Sequence, residues 1–130
     1  MKTSNTERTG NTDSKVKVFV YGTLKQGYGN HCLLEDSTFL GKCTTEPEFT
    51  LHSLYAFPAV LPFGNTAIKG EVYEVDDKTF KRLDRLEGYP SLYERIQIPT
   101  EYGDAWIYVM DSVSNLKPIE SGEWEWEYIL

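Results

Sequence analysis

Apolar residues in this sequence come in short runs of β-branched and aromatic side chains, broken by glycine, proline or acidic turns. Such runs are too short for a helical bundle and point to a sheet. The first, Val16 to Tyr21, stops at Gly22 and predicts a strand that ends in a glycine turn. Phe39 to Cys43 and Phe49 to Tyr55 follow around the acidic turn Glu46-Pro47-Glu48, and Ala67 to Val75 adds a strand through Ile68, Val72, Tyr73 and Val75. Tyr93 to Pro99 and Ala105 to Asp111 flank the turn Glu101-Tyr102-Gly103-Asp104, so they predict a hairpin. At the C-terminus Glu123, Glu125 and Glu127 alternate with Trp124, Trp126 and Tyr128, which predicts a last strand with one aromatic core face and one solvated acidic face.

One stretch breaks this pattern. Phe80, Leu83 and Leu86 recur at helical spacing, Asp76 and Asp77 offer an N-cap, and Gly88 suits the left-handed residue that closes a helix. The helix is predicted from about Asp77 to Glu87. A second, short helix is predicted over His31 to Glu35, anchored by Leu33 and Leu34 and capped by Asn30. Strands predominate and short turns connect them. The fold class is therefore α+β, a small, mainly antiparallel β-barrel with flanking helices on its rim.

A chain of 130 residues, 40% of them hydrophobic, fills one domain and can bury a core without metal or disulfide staples. Residues 1–15 contain no large apolar side chain after Met1, so they are read as a flexible tail ahead of a domain over 16–130. The net charge of −7 argues against nucleic acid or an anionic membrane as partner, because both select a positive surface. A small-molecule partner fits better. The longest apolar-looking stretch, Leu54 to Phe63, is interrupted by Pro58 and Pro62 and falls short of the ~20 residues that span a bilayer. Residues 1–15 lack the apolar core of a secretory signal, and Cys32 and Cys43 have neither CxxC nor metal-ligand spacing. The reading is a cytoplasmic protein with two reduced thiols and no metal.

Two positions bear chemistry. The loop Tyr21-Gly22-Thr23-Leu24-Lys25-Gln26-Gly27 can expose successive N–H groups as a nest for a carboxylate or oxyanion, or it can be an ordinary turn; it matches no phosphate-loop pattern. Glu87 lies four residues after Leu83, so a continuous helix places it on the apolar face, where burial and the helix dipole both raise a carboxylate pKa toward general acid/base use. If Gly88 ends the helix early, Glu87 points to solvent instead. His31 and His52 have no matched ligand or nucleophile partner and read as surface or polar-network residues, and no serine lies in a nucleophile elbow.

Taken together, Val18-Phe19-Val20-Tyr21-Gly22-Thr23-Leu24-Lys25, Gly27 and Asn30-His31 resemble the N-terminal signature of the γ-glutamyl cyclotransferase-like family. Gly70-Glu71-Val72-Tyr73, Leu83-Asp84-Arg85-Leu86-Glu87-Gly88, Tyr93 with Arg95, and Ser121-Gly122-Glu123-Trp124 follow in the family's order, so the resemblance spans about residues 16–128 and looks closest to the γ-glutamylamine cyclotransferase branch. The resemblance implies a small barrel with a cavity at its mouth and release of 5-oxoproline from a γ-glutamyl compound without cofactor. It assigns substrate binding to Tyr21, Gly22, Thr23, Leu24 and Tyr93, and catalysis to Glu87. Phe57 to Val60 and Tyr89 to Ser91 fall on the acceptor side of the pocket, where members differ. A cyclotransferase for γ-glutamyl amino acids or peptides, or a non-catalytic binding module of the same fold, are the alternative readings.

Overall fold

The computed structural model describes residues 15–54, 56–113 and 117–125. Its strands are β1 (Lys15–Val20), β2 (Thr38–Thr44), β3 (Phe49–Ser53), β4 (Pro58–Thr66), β5 (Lys69–Asp76), β6 (Glu94–Ile98) and β7 (Ala105–Val109), with one α-helix, α1 (Asp77–Glu87), and a 3₁₀ helix at His31–Leu34. Five strands form one sheet in the order β2-β5-β1-β7-β6, and β3 pairs with β4 in a second, two-stranded sheet.

The position of β1 follows from its side chains. Successive residues point to opposite faces of a strand, and from Val18 to Val20 both faces are apolar and buried, which suits a central strand. Phe19 enters a core with Leu51, Val60, Ile68, Val72, Ile107 and Trp124. Val18 and Val20 enter a second core with Leu34, Tyr73, Val75, Leu83 and Tyr108. On one side β1 is antiparallel to β5, with Val18 opposite Tyr73. On the other it is parallel to β7, with Val18 opposite Trp106 and Phe19 opposite Ile107. The mainly antiparallel α+β expectation holds with this one parallel pair. The barrel is not closed: two sheets meet where Met110 N–H donates to the Val60 carbonyl at 2.9 Å.

The helix keeps its predicted bounds because both ends are capped. Asp76 Oδ1 accepts from Thr79 N–H at 2.8 Å, which fills one of the orphan donors of the first turn. Gly88 adopts φ 68°, and Tyr89 N–H then reaches the Asp84 carbonyl at 2.9 Å. Leu83 is fully buried and Phe80 half-buried, but Leu86, expected as a third anchor, is 40% exposed.

Several expectations need correction. The strand β4 was hidden by Pro58 and Pro62; among the described residues it pairs only with β3, and its register jumps from Thr66 opposite Phe49 to Leu61 opposite Thr50, so Pro62 and Gly64 lie in the irregular stretch where a missing ladder bond is tolerated. The predicted helix at 31–35 is a 3₁₀ helix, and Asn30 makes no side-chain cap to it. The strand predicted from Ala67 begins at Lys69. Glu123 to Glu125 are not in a strand, although Trp124 is fully buried as expected. The remainder of that predicted strand, 126–128, lies outside the described residues, as do Tyr55 and the predicted tail up to residue 14; Lys15, its last residue, opens β1.

Candidate active site

The loop after β1 is held from within. Lys25 N–H donates to the Gly22 carbonyl at 3.0 Å, Asn30 N–H to the Thr23 carbonyl at 2.9 Å, and His31 Nδ1 lies 2.9 Å from the Leu24 carbonyl. Asn30 Nδ2 also donates to Thr23 Oγ1 at 2.8 Å. These bonds occupy the three carbonyls and draw on none of the N–H groups of Gly22, Thr23 and Leu24. Such an arrangement leaves main-chain donors for an anionic guest. The far side of the loop is tied down by Lys25 Nζ, which donates to the Trp124 carbonyl at 2.7 Å, and by Glu71, which accepts Gln26 N–H at 3.0 Å.

Gly22 serves a different purpose from the sharp turn read in the sequence. Its φ is not positive; instead, a Cβ there would fall 2.6 Å from Pro58 Cγ and 2.7 Å from Cδ. The loop and the start of β4 touch backbone to ring, and only glycine fits.

Tyr21, Gly22, Thr23, Leu24, Glu87 and Tyr93 all line one narrow slot, closed at its sides by Phe57, Pro58 and Tyr108. The structure thus brings every sequence-predicted site residue together. The slot holds about 30 Å³ and shares Thr23, Phe57, Glu87 and Tyr93 with an outer cleft of about 230 Å³ that Asn30, Ala56, Leu86 and Leu92 also line. Among the described residues no lysine or arginine lines either space.

Glu87 is half-buried at the end of α1, and loss of solvent pushes its pKa from the usual 4.5 up to about 7. Three tyrosines surround it. Tyr21 Oη donates to the Tyr108 carbonyl at 2.7 Å and accepts from Val60 N–H at 3.3 Å. Tyr93 Oη donates to the Pro58 carbonyl at 2.6 Å. Tyr108 Oη donates to Asp84 Oδ1 at 2.7 Å. Burial raises all three phenols above their ordinary value, and the Glu87 charge adds to it, so each stays a neutral donor at physiological pH. The result is a carboxyl that exchanges its proton near neutrality, set beside a loop of backbone donors.

Tyr108 was not singled out from the sequence. The signal was there: alternation in β7 puts Trp106 and Tyr108 on the α1 side and Ile107 on the other. The histidines stay outside the slot. His31 supports the loop, while His52 is buried in β3 and its Nδ1 has no hydrogen-bond partner among the described residues, contrary to a surface or polar-network role. No group of metal-ligating side chains occurs among the described residues, and no helix there is long and apolar enough to cross a membrane.

Comparison with known proteins bears on the family and the fold. The chain is 44% identical over 108 residues to a Vibrio cholerae relative, which covers 82% of this chain and 93% of that one. It is 39% identical over 110 residues to the gamma-glutamylcyclotransferase family protein YtfP of Escherichia coli K12, covering 84% and 96%. Among solved structures, an AIG2-like protein from mouse superposes with a TM-score of 0.70 at 28% identity, covering 82% of this chain and 87% of that one. The model of the family described as gamma-glutamyl cyclotransferase, AIG2-like, matches residues 18–126, from the first core strand past Trp124. With the loop, the helix-end glutamate and the sheet order all inside that match, the chain belongs to the gamma-glutamyl cyclotransferase, AIG2-like family.

Proposed function

We propose that this protein is a γ-glutamylamine cyclotransferase, which releases 5-oxoproline and a free amine from γ-glutamyl amines such as γ-glutamyl-ε-lysine. The observation that carries the reading is Glu87, a carboxyl with a pKa of about 7 in a slot that also presents the Tyr21 to Leu24 backbone. The substrate's α-carboxylate binds the loop's N–H groups, which leaves its α-ammonium facing Glu87. Glu87 takes a proton from that ammonium. The freed nitrogen attacks the γ-carbonyl carbon of the same molecule, a C–N bond closes the five-membered ring, and backbone donors stabilise the oxyanion. Collapse breaks the bond to the amine, which leaves with the proton that Glu87 returns, and the second proton that the ring nitrogen sheds passes through Glu87 to the departing amine, which becomes an ammonium. No water is consumed and nothing is oxidised or reduced, so the reaction needs no cofactor. A binding module gains nothing from a half-buried carboxylate that costs stability.

The amine specificity rests on the outer cleft. An amino-acid leaving group brings a carboxylate next to the scissile amide and a peptide carries one further out, and Thr23, Asn30, Ala56, Phe57, Leu86 and Leu92 offer it no cation. An aliphatic stem packs there, and lysine attached through its ε-nitrogen keeps its charges at the far end of that stem. Both cysteines are free thiols, which fits the cytoplasmic residence included in this reading. A screen of γ-glutamyl alkylamines, γ-glutamyl-ε-lysine and γ-glutamyl amino acids for 5-oxoproline release tests the proposal. The amines should turn over with the higher kcat/KM. Faster turnover of the amino acid series would move the assignment to that substrate class, and binding without release from any of them would leave only a binding module.

A further inference from the structure

One helical turn before Glu87, Asp84 collects three hydrogen bonds from two strands of the sheet. Its Oδ1 accepts from Arg95 Nε at 2.9 Å and from Tyr108 Oη at 2.7 Å, and its Oδ2 accepts from Arg95 Nη2 at 3.1 Å. The Arg95 guanidinium is enclosed by aromatic faces, 4.5 Å from the Phe80 ring centre, 4.0 Å from Tyr89 and 4.6 Å from Trp106. Residues three apart share a helix face, so Asp84 and Glu87 are neighbours on α1. The last turn of α1 has little apolar anchorage, because Leu86 is 40% exposed and Leu83 lies a turn earlier. A bidentate, stacked Arg–carboxylate pair supplies there the directional hold that packing does not. Tyr108 also fixes the loop, since its carbonyl accepts the Tyr21 hydroxyl.

We infer that Asp84, Arg95 and Tyr108 form a positioning cluster for Glu87, which registers the last turn of α1 against the substrate loop and cancels the charge beside the base. The inference rests on the proposed role of Glu87. The groups facing Glu87 from the strands and loops are Tyr21, Tyr93 and Tyr108, all neutral phenols. α1 also packs on β5, where Glu71 takes the Tyr73 hydroxyl, and on the 3₁₀ helix, where His31 turns to the Leu24 carbonyl and Cys32 is exposed. On α1 itself Arg82 and Arg85 are exposed. One turn away on the same helix stands Asp84, in a compensated pair with Arg95. Loss of Arg95 alone leaves a like charge beside Glu87 and disfavours its ionised form; loss of the Asp84 charge alone leaves a cation and favours it.

The test is the pH dependence of kcat/KM for 5-oxoproline release by Arg95→Met, Arg95→Lys, Asp84→Asn and Glu87→Gln, with folding checked by circular dichroism. Arg95→Met should move the acid limb up by about 0.5 to 1 pH unit and Asp84→Asn should move it down by a similar amount. Arg95→Lys keeps the charge and loses the fork, so its limb should stay in place while kcat falls about 10-fold and KM changes little. Opposite shifts are the signature that a purely structural pair would not give. Should Asp84→Asn fail to fold, Arg95→Met against Arg95→Lys makes the same comparison. Limbs that coincide with wild type in folded Arg95→Met overturn the inference alone when Glu87→Gln is inactive, whereas an active Glu87→Gln overturns the functional reading beneath it.

Discussion

Glu87 is held in a place that destabilises the fold. Its carboxyl has a pKa of about 7 in the folded protein against 4.5 in the open chain, so between those values the native state binds more protons than the unfolded state. Stability must then fall as pH rises through that window, and the loss is complete above about 7. Glu87→Gln removes the titrating group and should raise stability at pH 8 by about 2 to 3 kcal/mol, a gain that fades to nothing by about pH 4. Urea unfolding of the two proteins at both pH values checks this; equal stability at pH 8 would mean that Glu87 is solvated. Gly22 makes the opposite case, a residue defined by what it lacks. Gly22→Ala drives a methyl into the Pro58 ring and should cost about 1 to 3 kcal/mol while raising KM more than it lowers kcat, because the loop is displaced from the slot. A variant with unchanged melting temperature and KM would show that the loop and β4 are free to separate.

At the scale of elements, α1 works because its two ends are fastened differently. The Asp76 cap fixes the start, and the hydrogen bond from Thr79 N–H holds the Asp76 carboxyl below its ordinary pKa. A depressed pKa contributes stability that is present above the unfolded value and lost as pH falls through the folded one. Asp76→Ala should therefore lower stability by about 1 kcal/mol at pH 7, and the difference should shrink as the wild-type carboxyl protonates in acid. Thermal melts at pH 7 and pH 3 read both; a pH-independent difference would locate the effect in packing instead of the cap. β1 is the matching element on the sheet side. Its two apolar faces carry the cores above and below, and its last residues deliver Tyr21 and the loop to the slot.

For the molecule as a whole, what the sequence disclosed depended on range. Val16 to Tyr21 was legible as a strand and Asp77 to Glu87 as a helix because side-chain period and caps are local signals. The spacing of Glu87 to Leu83 allowed the apolar face but left a solvent-facing glutamate open, and the fold leaves it half-buried. β4 was not legible, since Pro58, Pro62 and Gly64 are breakers unless one knows that the strand has a single partner among the described residues and an irregular register. The purpose of Gly22 also lay out of reach, because Pro58 is its reason and only tertiary folding brings the two together. The same holds for the Tyr21, Tyr93 and Tyr108 surround of Glu87, as these residues come from three separate segments. The central claim is that this half-buried carboxyl moves the protons of a γ-glutamyl cyclisation. The most direct test is 5-oxoproline release by Glu87→Gln, a near-isosteric change that removes the base, measured across pH with folding confirmed by circular dichroism. The account predicts an acid limb near pH 7 in wild-type kcat/KM, and for Glu87→Gln a kcat at least about 100-fold lower with little change in KM and loss of that limb. Near-wild-type turnover with the limb intact would contradict it.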